Sequence, residues 1–329
     1  MNTLHAKSPC CREKIYKYGN KRRQCSKCKK TWRIRQKHRG RKESRTTSKL
    51  LVRYLRHELP SLYAYSRAKN KSEDKLNRNL QKSLRYFLHH TTWPVIRGKV
   101  LIALADAMII NLNHKFYTFY FILLRETEET KAYVMPPYID EGTESHIGWY
   151  KTFKRLPKRI QLAIKVLVCD GHKGLLFDAE RRKWIIQRCH FHLLSHIQTH
   201  CSKKRTGRHY REGKLIYSII KEILSNPQRK NIVYLLNVLK EIAKVAPSRQ
   251  LRSSLRDFGR HYREFRHYLN YPRFNIPTTT NSIESLIGMV RALCFRARGF
   301  RTINSLTEWV HALLKHKKSV TCNGYFQPN

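Results

Sequence analysis

Residues 163–175 read "AIKVLVCDGHKGL", an apolar run of β-branched and aliphatic residues that stops at Asp170 and Gly171. A half-exposed strand alternates apolar and polar residues, whereas a continuous apolar run bounded by a turn signal suits a strand covered on both faces. Three further strand candidates lie upstream: "KVLIALADAMII" (Lys99–Ile110), "KFYTFYFILL" (Lys115–Leu124) and "KAYVMPPYI" (Lys131–Ile139). They are rich in β-branched and aromatic residues and are joined by the short polar turns "NLNH" and "RETEET", so they read as an antiparallel meander. The helical stretch "ESHIGWYKTFKRL" separates them from the quoted run. Strand-strand-strand-helix-strand is an α/β order. A short strand, "KWIIQRCHFH", precedes a long helical region from about Leu193 to Leu269, and the chain closes on two helical segments, "LIGMVRALCFRARGF" and "SLTEWVHALLKHKKS".

Composition selects the partner. The 329 residues carry 68 Lys and Arg against 22 Asp and Glu, a net charge of +46. Such a charge repels itself unless a polyanion neutralises it, so nucleic acid is the expected partner. A membrane is excluded as partner, because no apolar run approaches the roughly 18–20 residues of a spanning helix. The opening "MNTLHAKSPCC" has no apolar signal core, so the expected location is the cytoplasm, on nucleoid DNA. There the nine cysteines point to metal binding or burial rather than disulfides. No internal repeat is visible.

Residues 1–34 resemble a zinc ribbon. Cys25-x-x-Cys28 forms one knuckle whose thiolates converge on a tetrahedral ion. The other knuckle is irregular: the expected Cys-Pro-x-Cys falls on Ser8-Pro9-Cys10-Cys11, with serine at the first ligand position. Cys11 is the regular partner, and the fourth ligand is Cys10, His5 or none. Residues 35–48 form a basic linker; with the end of the ribbon, this stretch offers Arg33, Arg35, Lys37, Arg39, Arg41 and Lys42 to phosphates, each neutralised phosphate adding a salt-dependence slope of about 0.9. From 49 to 94 apolar residues recur at helical spacing, with Pro60 opening one helix and Ser72-Glu73 capping another. Three short helices, the last carrying Lys75, Arg78, Lys82 and Arg85, suit a helix-turn-helix-type DNA-binding domain. The plainer alternative is a helical bundle linking two domains.

The carboxylates carry the chemistry. Asp106 interrupts the apolar run of the first strand and Asp170 ends the fourth, and each is costly to desolvate without a partner. On adjacent central strands the two would repel unless a cation lay between them, and Mg²⁺ prefers such oxygen ligands. Glu284, in "TTTNSIES" (Thr278–Ser285), is the third candidate: Thr280, Asn281 or Ser282 can cap a helix and place it in the first turn.

Three motifs in this order, "LADA" with Asp106, "VCDGHKGL" with Asp170 followed by Cys189-x-x-His192, and "TTTNSIESLIGMVR" with Glu284, resemble the DDE transposases of the ribonuclease H-like superfamily. The likeness is closest to the Mutator group of bacterial insertion sequences and related eukaryotic elements. It implies a ribonuclease H-like mixed sheet (residues 95–192 and 276–329) interrupted by an all-α insertion (193–275). It also implies that Asp106 bridges two Mg²⁺ ions, or Mn²⁺ in their place, about 3.5–4 Å apart, Asp170 holding one and Glu284 the other. The implied substrates are double-stranded DNA ends, the terminal inverted repeats, and a target duplex, with at least a dimer pairing two ends. Cys189 and His192 are then a structural or DNA-contacting pair. His192, His196 and His200 also recur on one helix face at a spacing that can hold zinc. Two rival functions are a transposase-derived DNA-binding regulator with an inert core and a ribonuclease H-like nuclease that cuts without joining.

Overall fold

A computed structural model of the chain describes residues 8, 10–18, 22–33, 47–59, 61–199, 208–246, 248–297 and 299–323. The basic residues Arg35, Lys37, Arg39, Arg41 and Lys42, with His5, His200 and the side chain of Arg33, lie outside that description. The chain divides into two compact units, residues 1–45 and 46–329.

In the first unit, β1 (Ile15–Lys17), β2 (Arg22–Cys25) and β3 (Thr31–Arg33) form an antiparallel sheet. Ser8 is buried, and its hydroxyl accepts from the N–H groups of Cys11 (3.3 Å) and Glu13 (3.1 Å). The serine at the first-ligand position therefore caps the knuckle turn instead of supplying a thiolate.

The second unit begins with three helices, α1 (Lys49–Leu55), α2 (Leu62–Ala68) and α3 (Glu73–His90). Each is capped by a serine, Ser48, Ser61 and Ser72, whose side chain accepts from a backbone N–H of the first turn. Their apolar faces join the core of the large sheet: Tyr54 meets Trp309 with ring centroids 5.2 Å apart, and Leu51, Leu80 and Leu84 are fully or almost fully buried beside them. Lys75, Arg78, Lys82 and Arg85 are exposed along α3.

The sheet contains β4 (Leu101–Leu112), β5 (Lys115–Glu126), β6 (Lys131–Val134), β7 (Tyr138–Glu141), β8 (Ile164–Cys169), β9 (Ile185–Arg188) and β10 (Ser319–Thr321). Its order is β10-β6-β5-β4-β8-β9, with β7 also paired to β5. Strands β4, β5 and β6 are antiparallel neighbours, and β8 and β9 run parallel to β4. The sheet is therefore mixed, as expected from the sequence, antiparallel on one side of β4 and parallel on the other. The β4–β5 hairpin turns on Asn113 and His114, both left-handed (φ 53° and 64°), as a two-residue turn matched to strand twist requires. The third strand expected at 131–139 is two strands, because Pro136 and Pro137 cannot donate to a ladder.

One face of the sheet is covered by α4 (His146–Lys154), α5 (Lys158–Ala163) and α6 (Lys173–Arg181) through Trp149, Phe153, Ile160 and Leu175. The other is covered by α12 (Asn281–Arg296) and α13 (Ile303–Lys317). Between β9 and α12 lie α7 (His190–Thr199), α8 (Arg208–Ser225), α9 (Arg229–Val245), α10 (Arg249–His261) and α11 (His267–Asn270). Helices α7 to α10 enclose a separate apolar core around Ile220, Ile223 and Phe258. Arg266 fastens this layer, its guanidinium donating to the carbonyls of Ile223 and Asn226, both at 2.6 Å. Among the described residues no helix is long and apolar enough to cross a membrane.

Candidate active site

Strand register positions the first two carboxylates. Leu101 pairs with Ile164, but Ile102 pairs with Val166, so Lys165 is an extra, exposed residue in β8. Beyond this bulge Leu104 is level with Val168, and counting on two residues sets Asp170 level with Asp106. Ile102, Leu104, Met108, Val166 and Val168 all face the core beneath α12, so alternation turns Asp106 and Asp170 to that same face. Without the bulge Asp106 would be level with Cys169, and Asp170 would point to the opposite side.

Helix α12 brings the third. Thr280 occupies the N-cap position, and Glu284 stands in the first turn as expected. The Thr280 side chain does not cap the helix: its hydroxyl donates to Glu284 Oε1 at 2.9 Å and lies 3.2 Å from Cys189 Sγ.

The electrostatics show how the groups sense one another. Asp106 is pushed up from 3.8 to about 7 by burial first and then by the negative charge of Asp170, with Glu284 adding to it; the Ala107 N–H (2.8 Å to Oδ1) and His192 oppose the rise. Burial and surrounding anions thus give Asp106 a strong demand for a proton or a metal ion. Asp170 is held by a turn in which its Oδ1 accepts from His172 N–H at 2.9 Å, and Gly171 adopts φ 99°. A methyl group on Gly171 would run into the Arg188 guanidinium. Arg188 is itself buried, bonds Asp257 of α10 at 2.9 Å and lies over the Phe265 ring at 4.8 Å.

Two nearby groups escaped the sequence reading. Glu144, just before α4, accepts from Trp149 Nε1 at 2.7 Å and lies 3.5 Å from His172; burial raises its proton affinity, and Asp170 contributes. Arg188 links the Asp170 turn to the helical layer. Neither has a spacing signal, since both depend on packing between distant elements.

Among the described residues two sets of metal-capable donors have all their atoms within 4.8 Å of one another: Cys10, Cys11, Cys25 and Cys28, and Cys189, His192 and Glu284. In the first, Cys10 is the fourth member. The Ser8 hydroxyl draws the Cys25 thiol down to about 6, while hydrogen bonding to Cys28 and burial push Cys11 up to about 12. Four sulfurs so gathered fit a tetrahedral zinc ion. In the second, hydrogen bonding to Cys189 lifts His192 to about 9, with Glu284 and Asp106 adding to the rise. Asp170 and Glu284 both add to the proton affinity of Asp106, but the three carboxylates do not form a third set of that tightness. His196 belongs to neither set; its Nδ1 lies 2.9 Å from the Ser254 hydroxyl. A cavity of about 550 Å³, lined in part by Asp170, Arg188, His192 and Asp257, opens beside Asp170.

The family model described as "Transposase, Mutator family" matches residues 132–320. No curated protein matches the chain. A solved structure, the Drosophila P element transposase strand transfer complex, is similar at 10% identity and a TM-score of 0.44, covering 81% of this chain and 91% of that one.

Proposed function

The chain belongs to the Mutator family of transposases, and on that premise we propose that it binds the ends of a mobile DNA element, cuts them, and joins them to a target duplex. Asp106, Asp170 and Glu284 are the carboxylates of the reaction. The observation that carries this assignment is the register past Lys165, which makes Asp106 and Asp170 face α12 side by side. Their oxygens, and the raised proton affinity of Asp106, fit hard divalent ions such as Mg²⁺ or Mn²⁺.

When bound, Mg²⁺ supplies activation of water or a 3′-hydroxyl and stabilisation of the leaving oxygen. The chain's own residues prepare the site. The Ala107 N–H fixes one oxygen of Asp106, the left-handed Gly171 lets the Asp170 turn close, and the Thr280 hydroxyl orients Glu284. Glu144 is a positioning residue, held by Trp149 near His172 and Asp170.

Zinc at Cys10, Cys11, Cys25 and Cys28 stabilises residues 1–34. The basic stretch from Arg33 to Lys42 and the exposed Lys75, Arg78, Lys82 and Arg85 bind DNA phosphates, positioning the duplex more than reading its bases. At least two copies assemble to pair two ends. The test is Mg²⁺-dependent processing of labelled duplex ends, scored for joined as well as cut products. D106N, D170N and E284Q are expected to abolish both products while retaining DNA binding. Strand transfer by D106N at the wild-type rate would defeat the assignment, binding without either product would favour an inert regulator, and cutting without joining a nuclease.

A further inference from the structure

Glu284 belongs to a donor set of a different chemical kind from the aspartates. Cys189 directly follows β9, His192 lies in the first turn of α7, and Glu284 lies in the first turn of α12. Backbone bonds fix the segments together: Cys189 N–H donates to Cys169 O and His190 N–H to Thr278 O, both at 2.8 Å. Thr280 ties the side chains as well, its N–H reaching Cys189 Sγ at 3.3 Å and its hydroxyl lying 3.3 Å from His192 Nδ1. His192 Nδ1 is 3.5 Å from Glu284 Oε1.

That separation can be compared with a metal site. Ligands at about 2.0–2.1 Å from a tetrahedral zinc ion stand about 3.4 Å apart along each nitrogen–oxygen edge. The observed spacing needs almost no adjustment. Access is present too, because the His192 and Glu284 side chains are 37% and 27% exposed and His192 lines the cavity beside Asp170. Thiolate and imidazole select a borderline or soft ion, whereas Mg²⁺ keeps to oxygen.

We propose that Cys189, His192 and Glu284 form a three-ligand site for a divalent ion of the zinc class, and that filling it withdraws Glu284 from Asp106 and Asp170 and stops DNA cleavage. Binding displaces the thiol proton of Cys189 to solvent and leaves the fourth position to water. The inhibitory half rests on the function proposed above; the site itself does not.

Cobalt(II) is the probe, because thiolate ligation gives it a charge-transfer absorption in the near ultraviolet. Full-length C25S/C28S protein, which lacks two ribbon thiols, is expected to bind one Co²⁺ with that absorption. The further change C189S should remove it, and H192A or E284Q should weaken binding by about tenfold or more. H192A is the second removal should the C189S protein fail to fold, as judged by circular dichroism. Absence of the band in C25S/C28S, or its persistence in both C189S and H192A backgrounds, overturns the site. In a parallel assay zinc is titrated into Mg²⁺-supported cleavage by wild-type protein carrying one zinc per chain. Loss of cleavage at about one further zinc supports the inhibition; cleavage that survives with the site filled overturns it. Cobalt binding without any Mg²⁺-supported cleavage upholds the site and removes the transposase function; cleavage without cobalt binding does the reverse.

Discussion

Replacing Asp106 with Asn changes the charge of the site while keeping the shape and the acceptor for Ala107 N–H, so it isolates the electrostatic cost. Folding moves the proton affinity of Asp106 from 3.8 to about 7. At about 1.36 kcal/mol per tenfold change in affinity, ionising it in the metal-free native state costs about 4 kcal/mol, reduced to about 2–4 kcal/mol because the side chain is only partly buried. The sign follows from proton uptake. Between 3.8 and about 7 the native state holds a proton that the unfolded chain has released, so stability is fully present below 3.8 and is lost as pH rises to about 7. In EDTA at pH 8, D106N should therefore be more stable than wild type by about 2–4 kcal/mol, and at pH 5 by less than half of that. Mg²⁺ at a hundred times its dissociation constant should restore about 2.7 kcal/mol to wild type and add nothing comparable to D106N. Urea denaturation at both pH values, with EDTA or Mg²⁺, measures all four quantities. Equal stability of the two proteins at pH 8 in EDTA, or equal stabilisation by Mg²⁺, would refute the charge argument.

G171A forces a side chain onto φ 99° and against Arg188; urea denaturation should show a loss of about 2–4 kcal/mol, and cleavage should fall because the Asp170 turn moves. E144Q can keep the bond from Trp149 but removes an anion near Asp170; a Mg²⁺ titration of cleavage should show about tenfold weaker metal dependence with nearly full activity at saturation. C28S should release the ribbon zinc and unfold residues 8–33 while the unit from 46 to 329 melts unchanged, checked by elemental analysis and limited proteolysis. Inserting one alanine between Val166 and Leu167 shifts the rest of the strand by one residue and sets Cys169 level with Asp106; the protein should lose cleavage entirely, and near-wild-type activity would show that register does not set the site.

The strands and helices were legible where one period dominates. Ile164–Cys169 reads as a strand because its faces are both covered, and α3 reads as a helix because Leu76, Leu80, Leu84 and Phe87 share one side. Ser72 as a cap and Glu284 in a first turn follow from local chemistry, which sequence displays directly. Long-range pairing is not displayed. The three-residue strand β10 pairs with β6 at the sheet edge and carries too few residues for a periodic signal. Pro136 and Pro137 did signal the break between β6 and β7, but an apolar context masked it. At the ribbon, spacing left the fourth ligand open, and only the packed knuckle gathers Cys10 with the other three sulfurs.

The site depends on the same distinction between local and distant information. Lys165 looks like an ordinary outward residue in a buried strand, yet as a bulge it decides which face Asp170 takes. A carboxylate pair in an apolar run signals metal chemistry, but parity along a strand is a property of pairing, not of composition. Glu284 shows the matter from the other side. Its sequence neighbours predict a helix start and nothing about Cys189, which lies 91 residues before Thr280 and meets it through sulfur. Thr280 touches Cys189, His192 and Glu284 at once, so the placement of Glu284 is tied to that of the thiol and the imidazole. On the assignments proposed above, the hard-ion and soft-ion donor sets share one side chain, Glu284, and Thr280 is the residue that holds it beside Cys189 and His192.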